Sequence, residues 1–248
     1  MKRVVITGAN RGIGLALVEA VLAASDEHAV WLGARNHARG EAAREALCQN
    51  EPSWADRLEV LELDVSDSDS VKRAADRVQS KLMEDEKIYG LVNNAGMGYP
   101  DSQLREVLEV NTYGMRRVTE AFLPLMQPAG GRIVNVTSAS GPNFVEQCSA
   151  ENQKLLVNPE VTWEEIDGFL ERALQAAGDP AAFQEAGMGS GSSYGISKAC
   201  GNSYTLLLAR LHPALRINAC TPGFIETELT RPIAAQYGKT PEEMGMKQ

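Results

Sequence analysis

Tyr194 and Lys198 lie four residues apart in a segment of helical composition, so a helix would place both side chains on one face. A free tyrosine has a pKa of about 10, and a nearby ammonium favours the phenolate. The pair is therefore suited to general acid catalysis, in which Tyr194 gives a proton to a substrate oxygen. Such a pair is more often a solvated helix face, so its surroundings must decide between the two interpretations.

Two polar residues fall at the carboxyl ends of predicted strands. Ser138 follows the run Arg132–Thr137, and Asn93 ends the run Ile88–Asn93. In open α/β sheets, ligands bind beyond these strand ends. A serine hydroxyl there can donate an orienting hydrogen bond to a carbonyl oxygen while Tyr194 protonates it. This joint placement favours a catalytic site over ordinary turn residues.

A glycine turn, Thr-Gly-Ala-Asn-Arg-Gly-Ile-Gly, joins the first predicted strand to the first predicted helix. The N–H groups and the dipole at a helix N-terminus favour a pyrophosphate. The GxxxGxG spacing alone would be weak evidence, but its position between strand and helix predicts a dinucleotide site. The candidate cofactor residues of this turn are Gly8, Asn10, Arg11, Gly12, Ile13 and Gly14.

The second predicted strand ends in Gly33-Ala34-Arg35-Asn36, without the carboxylate that would hold a ribose 2′-hydroxyl. Arg35 and Arg11 can instead form a charge-assisted clamp on a 2′-phosphate. The alternative is that both are ordinary solvated arginines. We therefore expect NADP(H) as the cofactor.

Short apolar runs alternate with helical segments along the chain, which is the rhythm of an α/β fold with a parallel sheet. The predicted strands are Arg3–Thr7, Ala29–Ala34, Leu58–Leu63, Ile88–Asn93, Arg132–Thr137 and Arg216–Cys220. The predicted helices are Ile13–Ala24, Ala38–Gln49, Ser68–Met83, Gln103–Leu125 and Ser193–Leu211.

Residues 141–192 separate a strand from the next core helix by more than an ordinary loop, so we expect a helical insertion there. Thr162 and Glu165 match a capping box, and apolar residues then recur at helical spacing over Val161–Ala176. We predict one amphipathic helix in this insertion, and an irregular segment over residues 221–248.

The composition limits the classes of function and partner that the chain can have. A chain of 248 residues suits one domain over residues 1–248, and its net charge of -9 argues against nucleic acid and membrane surfaces as partners. No stretch reads as a signal peptide or membrane span. Four separated cysteines and three scattered histidines show no ligand spacing, so we expect no metal and a cytoplasmic location.

The motifs taken in order resemble the short-chain dehydrogenases/reductases, over most of the chain. They are Thr7-Gly8-x3-Gly12-x-Gly14, Asp64-Val65, Asn93-Asn94-Ala95-Gly96, Asn111, Ser138, Tyr194-x3-Lys198 and Pro222-Gly223. The insertion before Tyr194 is similar to that of the carbonyl reductase subgroup, whose members are usually NADPH-dependent monomers. The resemblance implies a single Rossmann-type, doubly wound parallel sheet in the order 3-2-1-4-5-6.

The resemblance also implies roles for single residues. Lys198 would hold the nicotinamide ribose with Tyr194 nearby, and Asn111 would support a water that links Lys198 to solvent. Further residues would line the cofactor, namely Asp64, Val65, Asn93, Ala95, Pro222 and Gly223. An alternative for Asn111 is a local bend or an exposed polar position.

Family members usually continue past Pro222-Gly223 to a seventh strand, whereas Thr221–Met246 contains no apolar strand run. We therefore expect this strand to be absent, with the last sheet edge uncovered or filled by another chain. A monomer is expected because the helix over Val161–Ala176 can cover the face that relatives use for subunit contact.

The sequence thus predicts an enzyme that reduces small ketones, aldehydes or quinones with NADPH. The same groups would serve an alcohol dehydrogenase running in the oxidative direction. An NADPH-binding sensor without turnover is the alternative from another class. The hypothetical substrate pocket consists of Met97, Tyr99, Ala139, Phe144, Met188 and Phe224.

Overall fold

The structure is a computed structural model that describes residues 1–98, 103–189 and 191–247. Tyr99, a predicted pocket residue, lies outside the described residues. Every other residue that the sequence singles out for the site lies within them.

Six strands form one parallel sheet in the order β3-β2-β1-β4-β5-β6, which confirms the predicted fold class and strand order. The strands are β1 Lys2–Ile6, β2 His28–Ala34, β3 Leu58–Glu62, β4 Ile88–Asn93, β5 Arg132–Val136 and β6 Arg216–Cys220. Strand β1 pairs in parallel with β2 and β4, so the segments that follow these three strands leave the sheet at one edge.

The strand register follows from apolar packing. Val4 of β1 pairs with Val30 of β2 on one side and Gly90 of β4 on the other. In β2, every residue from Ala29 to Ala34 is buried, as expected for a strand covered on both faces. Helix α1 packs on this part of the sheet through Val18 and Leu22.

Eleven α-helices lie among the described residues. They are α1 Gly12–Ala24, α2 His37–Asn50, α3 Ser68–Lys81, α4 Leu104–Leu108, α5 Gly114–Phe122, α6 Ser140–Glu146, α7 Ala150–Leu156, α8 Trp163–Gln175, α9 Pro180–Glu185, α10 Ser193–Leu211 and α11 Arg231–Gln236. Short 3₁₀ turns cover Pro52–Trp54 and Leu123–Leu125. The predicted bounds of α10 agree with the structure, and those of α1, α2 and α3 lie within two residues of it.

The single helix predicted over Gln103–Leu125 is wrong. A π-helical turn at Glu109–Tyr113 separates α4 from α5, and a 3₁₀ turn containing Pro124 follows α5. The apolar periodicity continues through the interruption because Leu108 and Met115 are both buried. Periodicity therefore could not reveal the extra residue that a π turn accommodates.

The insertion holds more structure than the one helix predicted. Helix α8 begins at Trp163 behind the capping box of Thr162 and Glu165. Three other helices, α6, α7 and α9, have only six or seven residues each. Such lengths are too short to show a helical repeat, and only α7 and α9 begin at a side-chain cap, from Ser149 and Asp179.

The described residues after β6 form no seventh strand. They contain the short helix α11 and a single parallel bridge between Ile225 and Lys247, so residues 221–247 are less irregular than predicted. Over the ranges that the structure describes, no helix combines the length and apolarity needed to cross a membrane.

The chain divides into two compact units by its internal contacts. The first unit comprises Met1–Ala95, Gly114–Val134 and Ala214–Arg216, and it contains the glycine turn. The second comprises Gly96–Tyr113, Asn135–Pro213 and Ile217–Gln248, and it contains Asn111, Ser138, Tyr194 and Lys198. That residues 1–248 form one domain stays a prediction.

Candidate active site

The glycine turn of the first unit is packed too tightly for other residues. Gly8 has φ +61°, and a Cβ there would lie 2.8 Å from Ala95 Cα. A Cβ on Gly14 would lie 2.4 Å from the Gly8 carbonyl oxygen. The turn therefore brings backbone to the first turn of α1, a helix of 13 residues whose N–H groups can bind phosphate oxygens.

Thr7 and Asn94 fasten this turn to the segment after β4. Thr7 Oγ1 accepts hydrogen bonds from the backbone N–H groups of Asn94 at 3.0 Å and Ala95 at 2.9 Å. The Asn94 side chain donates to the carbonyl oxygens of Thr7 at 2.9 Å and Gly8 at 3.1 Å. The predicted cofactor residues Gly8 and Ala95 are thus held side by side.

Arg11 and Arg35 follow β1 and β2, which pair in parallel, so both leave the sheet at its carboxyl edge. Both side chains are exposed. Asn36 caps α2 by accepting a hydrogen bond from the Arg39 N–H at 2.9 Å, which leaves Arg35 in the connection just before the helix. An exposed arginine here is available to an anion.

The remaining predicted cofactor residues of the first unit lie in ordered turns. Asp64 Oδ1 accepts from the N–H and the hydroxyl of Ser66, at 2.9 and 2.6 Å. The Val65 carbonyl oxygen accepts from Arg117 at 2.5 Å. The buried Asn93 side chain donates to Thr119 Oγ1 at 2.9 Å. That amide group therefore joins β4 to α5.

In the second unit, Ser138 and Tyr194 come together. Ser138 lies between β5 and α6, where its Oγ accepts from the Ser140 N–H at 3.1 Å. Tyr194 lies in the first turn of α10, which Ser192 caps by accepting from the Gly195 N–H at 3.1 Å. The Ser138 hydroxyl lies close enough to the Tyr194 phenol to act on its pKa. The two hydroxyls can therefore address one substrate oxygen.

Burial raises the pKa of Tyr194 above its ordinary value of 10.0, and the nearby Ser138 hydroxyl offsets only part of that rise. The net shift is opposite to the one expected from the nearby ammonium, because burial of the phenol dominates it. The Lys198 ammonium lies 5.4 Å from the centroid of the Tyr194 ring. Tyr194 is thus a protonated donor at neutral pH.

Lys198 is buried, with 4% of its surface exposed, and lies one helical turn after Tyr194 as predicted. Its Nζ donates to the Val136 carbonyl oxygen, at the end of β5, at 2.9 Å. Burial lowers the pKa of Lys198 from 10.5 to about 8, because the cation loses its hydration. The lysine can therefore exchange protons close to neutral pH.

Asn111 is neither exposed nor a simple bend, because 1% of its surface is accessible and both ends of its amide are used. Its Oδ1 accepts from the Met97 N–H, and its Nδ2 donates to the Met97 carbonyl oxygen, both at 2.8 Å. The Nδ2 also donates to Ser197 Oγ at 3.0 Å. Asn111 therefore ties residue 97 to α10, next to Lys198.

Gly98 packs against the Tyr194 ring. A Cβ at this position would lie 2.4 Å from Cδ2 of the Tyr194 ring and 3.0 Å from Cε2. The absence of a side chain at residue 98 lets backbone support the ring directly. The site therefore depends on the segment after β4 as well as on α10.

The predicted pocket divides into two groups. Met97, Ala139 and Phe224 are at least partly accessible. Phe144 and Met188 are core residues with 2% and 0% of their surfaces exposed, so their assignment to a pocket is wrong. Phe144 packs edge-on to Phe169 at 6.4 Å, which explains its burial.

Pro222 and Gly223 follow β6 and are exposed, with Gly223 at φ +89°.

The sequence gives no role to Thr7, Asn94 or Ser197. A threonine directly before the first glycine, and the second of two adjacent asparagines at a strand end, were the available signals. Ser197 has no signal beyond its position before Lys198.

Comparison with known proteins identifies a family whose model matches this chain. The model of the family described as short chain dehydrogenase matches residues 2–150, more than half of the chain. The matched range includes the glycine turn, Asn111 and Ser138, and it ends before Tyr194.

Relatives match over nearly the whole chain. The (+)-neomenthol dehydrogenase of Arabidopsis thaliana is 32% identical over 254 residues, covering 91% of this chain and 83% of the relative. Carbonyl reductase [NADPH] 1 of Homo sapiens is 31% identical over 261 residues, covering 96% and 86%. The solved structure of salutaridine reductase from Papaver somniferum has a TM-score of 0.79 at 27% identity, covering 92% and 88%.

The burial of Lys198 predicts a pH-dependent stability difference. Below pH 8 the fold carries a buried cation, and the penalty fades as the pH approaches 10.5, where the unfolded chain also loses the proton. The free energy of unfolding of Lys198→Met, minus that of the wild type, should fall by about 2 kcal/mol between about pH 7 and pH 10. Urea unfolding at several pH values measures this difference. Lys154→Met, at an exposed lysine, is the control, and an equal change in both variants would contradict the assignment.

Proposed function

Because the chain belongs to the short-chain dehydrogenase family, we propose that it is an NADPH-dependent reductase of small ketones, aldehydes or quinones. The family consists of oxidoreductases that use a nicotinamide cofactor. The observation that carries the proposal is that the Ser138 hydroxyl lies beside Tyr194 and the Lys198 ammonium lies above the tyrosine ring.

The residues of the first unit fit a dinucleotide. The Gly8 and Gly14 positions have no room for a Cβ, so backbone N–H groups can approach a pyrophosphate at the start of α1. Arg11 and Arg35 supply positive charge at the carboxyl edge of β1 and β2. When bound, the nicotinamide would supply the hydride for the carbonyl carbon.

The chain's own residues would handle the proton. Tyr194 donates its hydroxyl proton to the carbonyl oxygen as the carbon accepts hydride, so that a carbonyl, a hydride and a proton give an alcohol. Ser138 donates a hydrogen bond that stabilises the developing alkoxide. Lys198 stabilises the phenolate left behind, and its pKa of about 8 suits it to return a proton from solvent.

Because its pKa is raised, Tyr194 keeps its proton at neutral pH and can act as the donor in reduction. Oxidation of an alcohol requires the phenolate to accept a proton. The paired presence of donor and ammonium also supports turnover over a sensor that only binds NADPH.

We expect Tyr194→Phe to lower kcat for carbonyl reduction by at least about a hundredfold, since it removes the proton donor and keeps the ring. The loss of NADPH absorbance with a panel of quinones and ketones measures the rate. Tyr237→Phe, at an exposed tyrosine, is the matched control. Equal activity of wild type and Tyr194→Phe would refute the assignment, and NADPH binding by an inactive wild type would favour the sensor.

NADP specificity is proposed from Arg35, the missing carboxylate at the end of β2, and similarity to a relative named carbonyl reductase [NADPH] 1. Arg35→Ala should raise the KM for NADPH about tenfold or more and change the KM for NADH little, because only NADPH carries the 2′-phosphate. Initial rates with each cofactor measure this. Arg77→Ala, at an exposed arginine of α3, is the control. An equal rise with both cofactors would argue against a phosphate contact.

We also propose a cytoplasmic monomer without nucleic acid or membrane partners. The apolar face of α8, with Ile166, Phe169 and Leu170 fully buried, covers α10 within the chain. All four cysteines are free thiols, which suits a reducing compartment. Size-exclusion chromatography with light scattering should give the mass of one chain, and a stable tetramer would exclude this proposal.

A further inference from the structure

The π turn at Glu109–Tyr113 is fastened to α10 by two of its residues. Asn111 Nδ2 donates to Ser197 Oγ at 3.0 Å, and Thr112 Oγ1 donates to the Ser197 carbonyl oxygen at 3.3 Å. Ser197 Oγ in turn donates to the Tyr194 carbonyl oxygen at 2.8 Å. The turn that carries Asn111 is therefore bonded to the residue between Tyr194 and Lys198.

The last residue of the π turn is held from another side. The Tyr113 hydroxyl donates to Asp167 Oδ1 on α8 at 2.8 Å. Burial and this hydrogen bond raise the pKa of Tyr113 far above its ordinary value, so the phenol remains a donor. A phenol that donates to a carboxylate forms a charge-assisted hydrogen bond, which is stronger than a bond between neutral groups.

Trp163, the first residue of α8, adds aromatic contacts to the same two elements. Its ring meets the Tyr113 ring at 6.0 Å with an interplanar angle of 67°. It meets Tyr204, on α10, at 5.7 Å with an angle of 82°. Both are edge-to-face arrangements, which favour a fixed orientation of the rings. Helix α8 thus contacts both elements that carry site residues.

We propose that Asp167 is a positioning residue for the active site. Through Tyr113 it holds the π turn in register, and so fixes Asn111 against Met97 and Ser197. The insertion before Tyr194 would then control the geometry of the reacting groups as well as cover α10. The catalytic part of this inference rests on the proposed function.

The π turn needs such support because π-helical pairing is rare and confined to single turns. If the turn returned to α-helical pairing, residues on one side would rotate by about 100° relative to the other side. The Asn111 side chain would then leave Met97 and Ser197. The segment that includes Gly98, which packs on the Tyr194 ring, would lose its attachment.

Three variants of α8 separate the loss of the hydrogen bond from Tyr113 from the loss of a negative charge. Asp167→Ala removes the acceptor, Asp167→Asn keeps an acceptor oxygen, and Glu171→Ala removes a nearby exposed charge on the same helix. Asp167→Ala should lower kcat about tenfold with the KM for NADPH unchanged, whereas Asp167→Asn should restore most of the rate and Glu171→Ala should match the wild type. Tyr113→Phe should match Asp167→Ala, and the double variant should be no slower than either single one.

Hydrogen exchange measured by mass spectrometry gives a readout that does not need turnover. The Met97 N–H donates to Asn111, so Asp167→Ala should speed exchange at residue 97 and in the π turn, and leave β1 to β3 unchanged. If the wild type reduces no carbonyl compound, the proposed function fails. The exchange pattern then still tests whether Asp167 holds the π turn in place. Unchanged exchange at residue 97, a general rise in all segments, or an equal effect of Glu171→Ala would overturn the proposal.

Discussion

The structure around the site depends on one constraint, the burial of the Lys198 ammonium. A buried cation is costly unless polar groups replace its hydration. Here the Val136 carbonyl oxygen accepts one hydrogen bond from Nζ, and the face of the Tyr194 ring lies 5.4 Å away. Both groups must stay in place for the lysine to remain inside. The end of β5 and the first turns of α10 are therefore joined by the same residue to which the proposed function gives a chemical role.

Polar groups also need hydrogen-bond partners at the points where the backbone leaves the strands of the first unit. A parallel sheet ends in unpaired peptide groups, and Thr7 and Asn94 satisfy several of them at the glycine turn. Two small polar side chains thus bind the connections after β1 and β4 to each other. The result is a rigid turn whose first helical N–H groups are free of a side-chain cap from Arg11. A rigid turn loses little entropy when an anion binds to it.

Much of the fold follows from the sequence because its elements are long or continuously apolar. The six strand runs are bounded by turn residues, and α10 has enough length and a clear Ser192 cap. The interruption at Asn111 could not be seen, since the π turn is set by bonds to residues 97 and 197, distant in the chain. The short helices α6, α7 and α9 lack enough residues for a periodic signal.

The candidate site shows the same division. The residue types and spacing of Tyr194 and Lys198 indicated their shared face, which depends on helix geometry alone. The pKa of Tyr194 depends on how much of its ring is covered, and residue 98 contributes to that cover from another part of the chain. Composition does not distinguish a core aromatic residue from an accessible one, which is why the predicted pocket includes Phe144. Burial is a property of the assembled fold, so the sequence left these points open.

Trp163 has an optical consequence as well as a mechanical one. The chain contains three tryptophans, and the other two, Trp31 and Trp54, are buried in the first unit. Replacing those two with phenylalanine would leave one indole, wedged between two phenol rings. Its emission spectrum would then show, without any added dye, whether α8 of the insertion stays packed against Tyr113 and Tyr204.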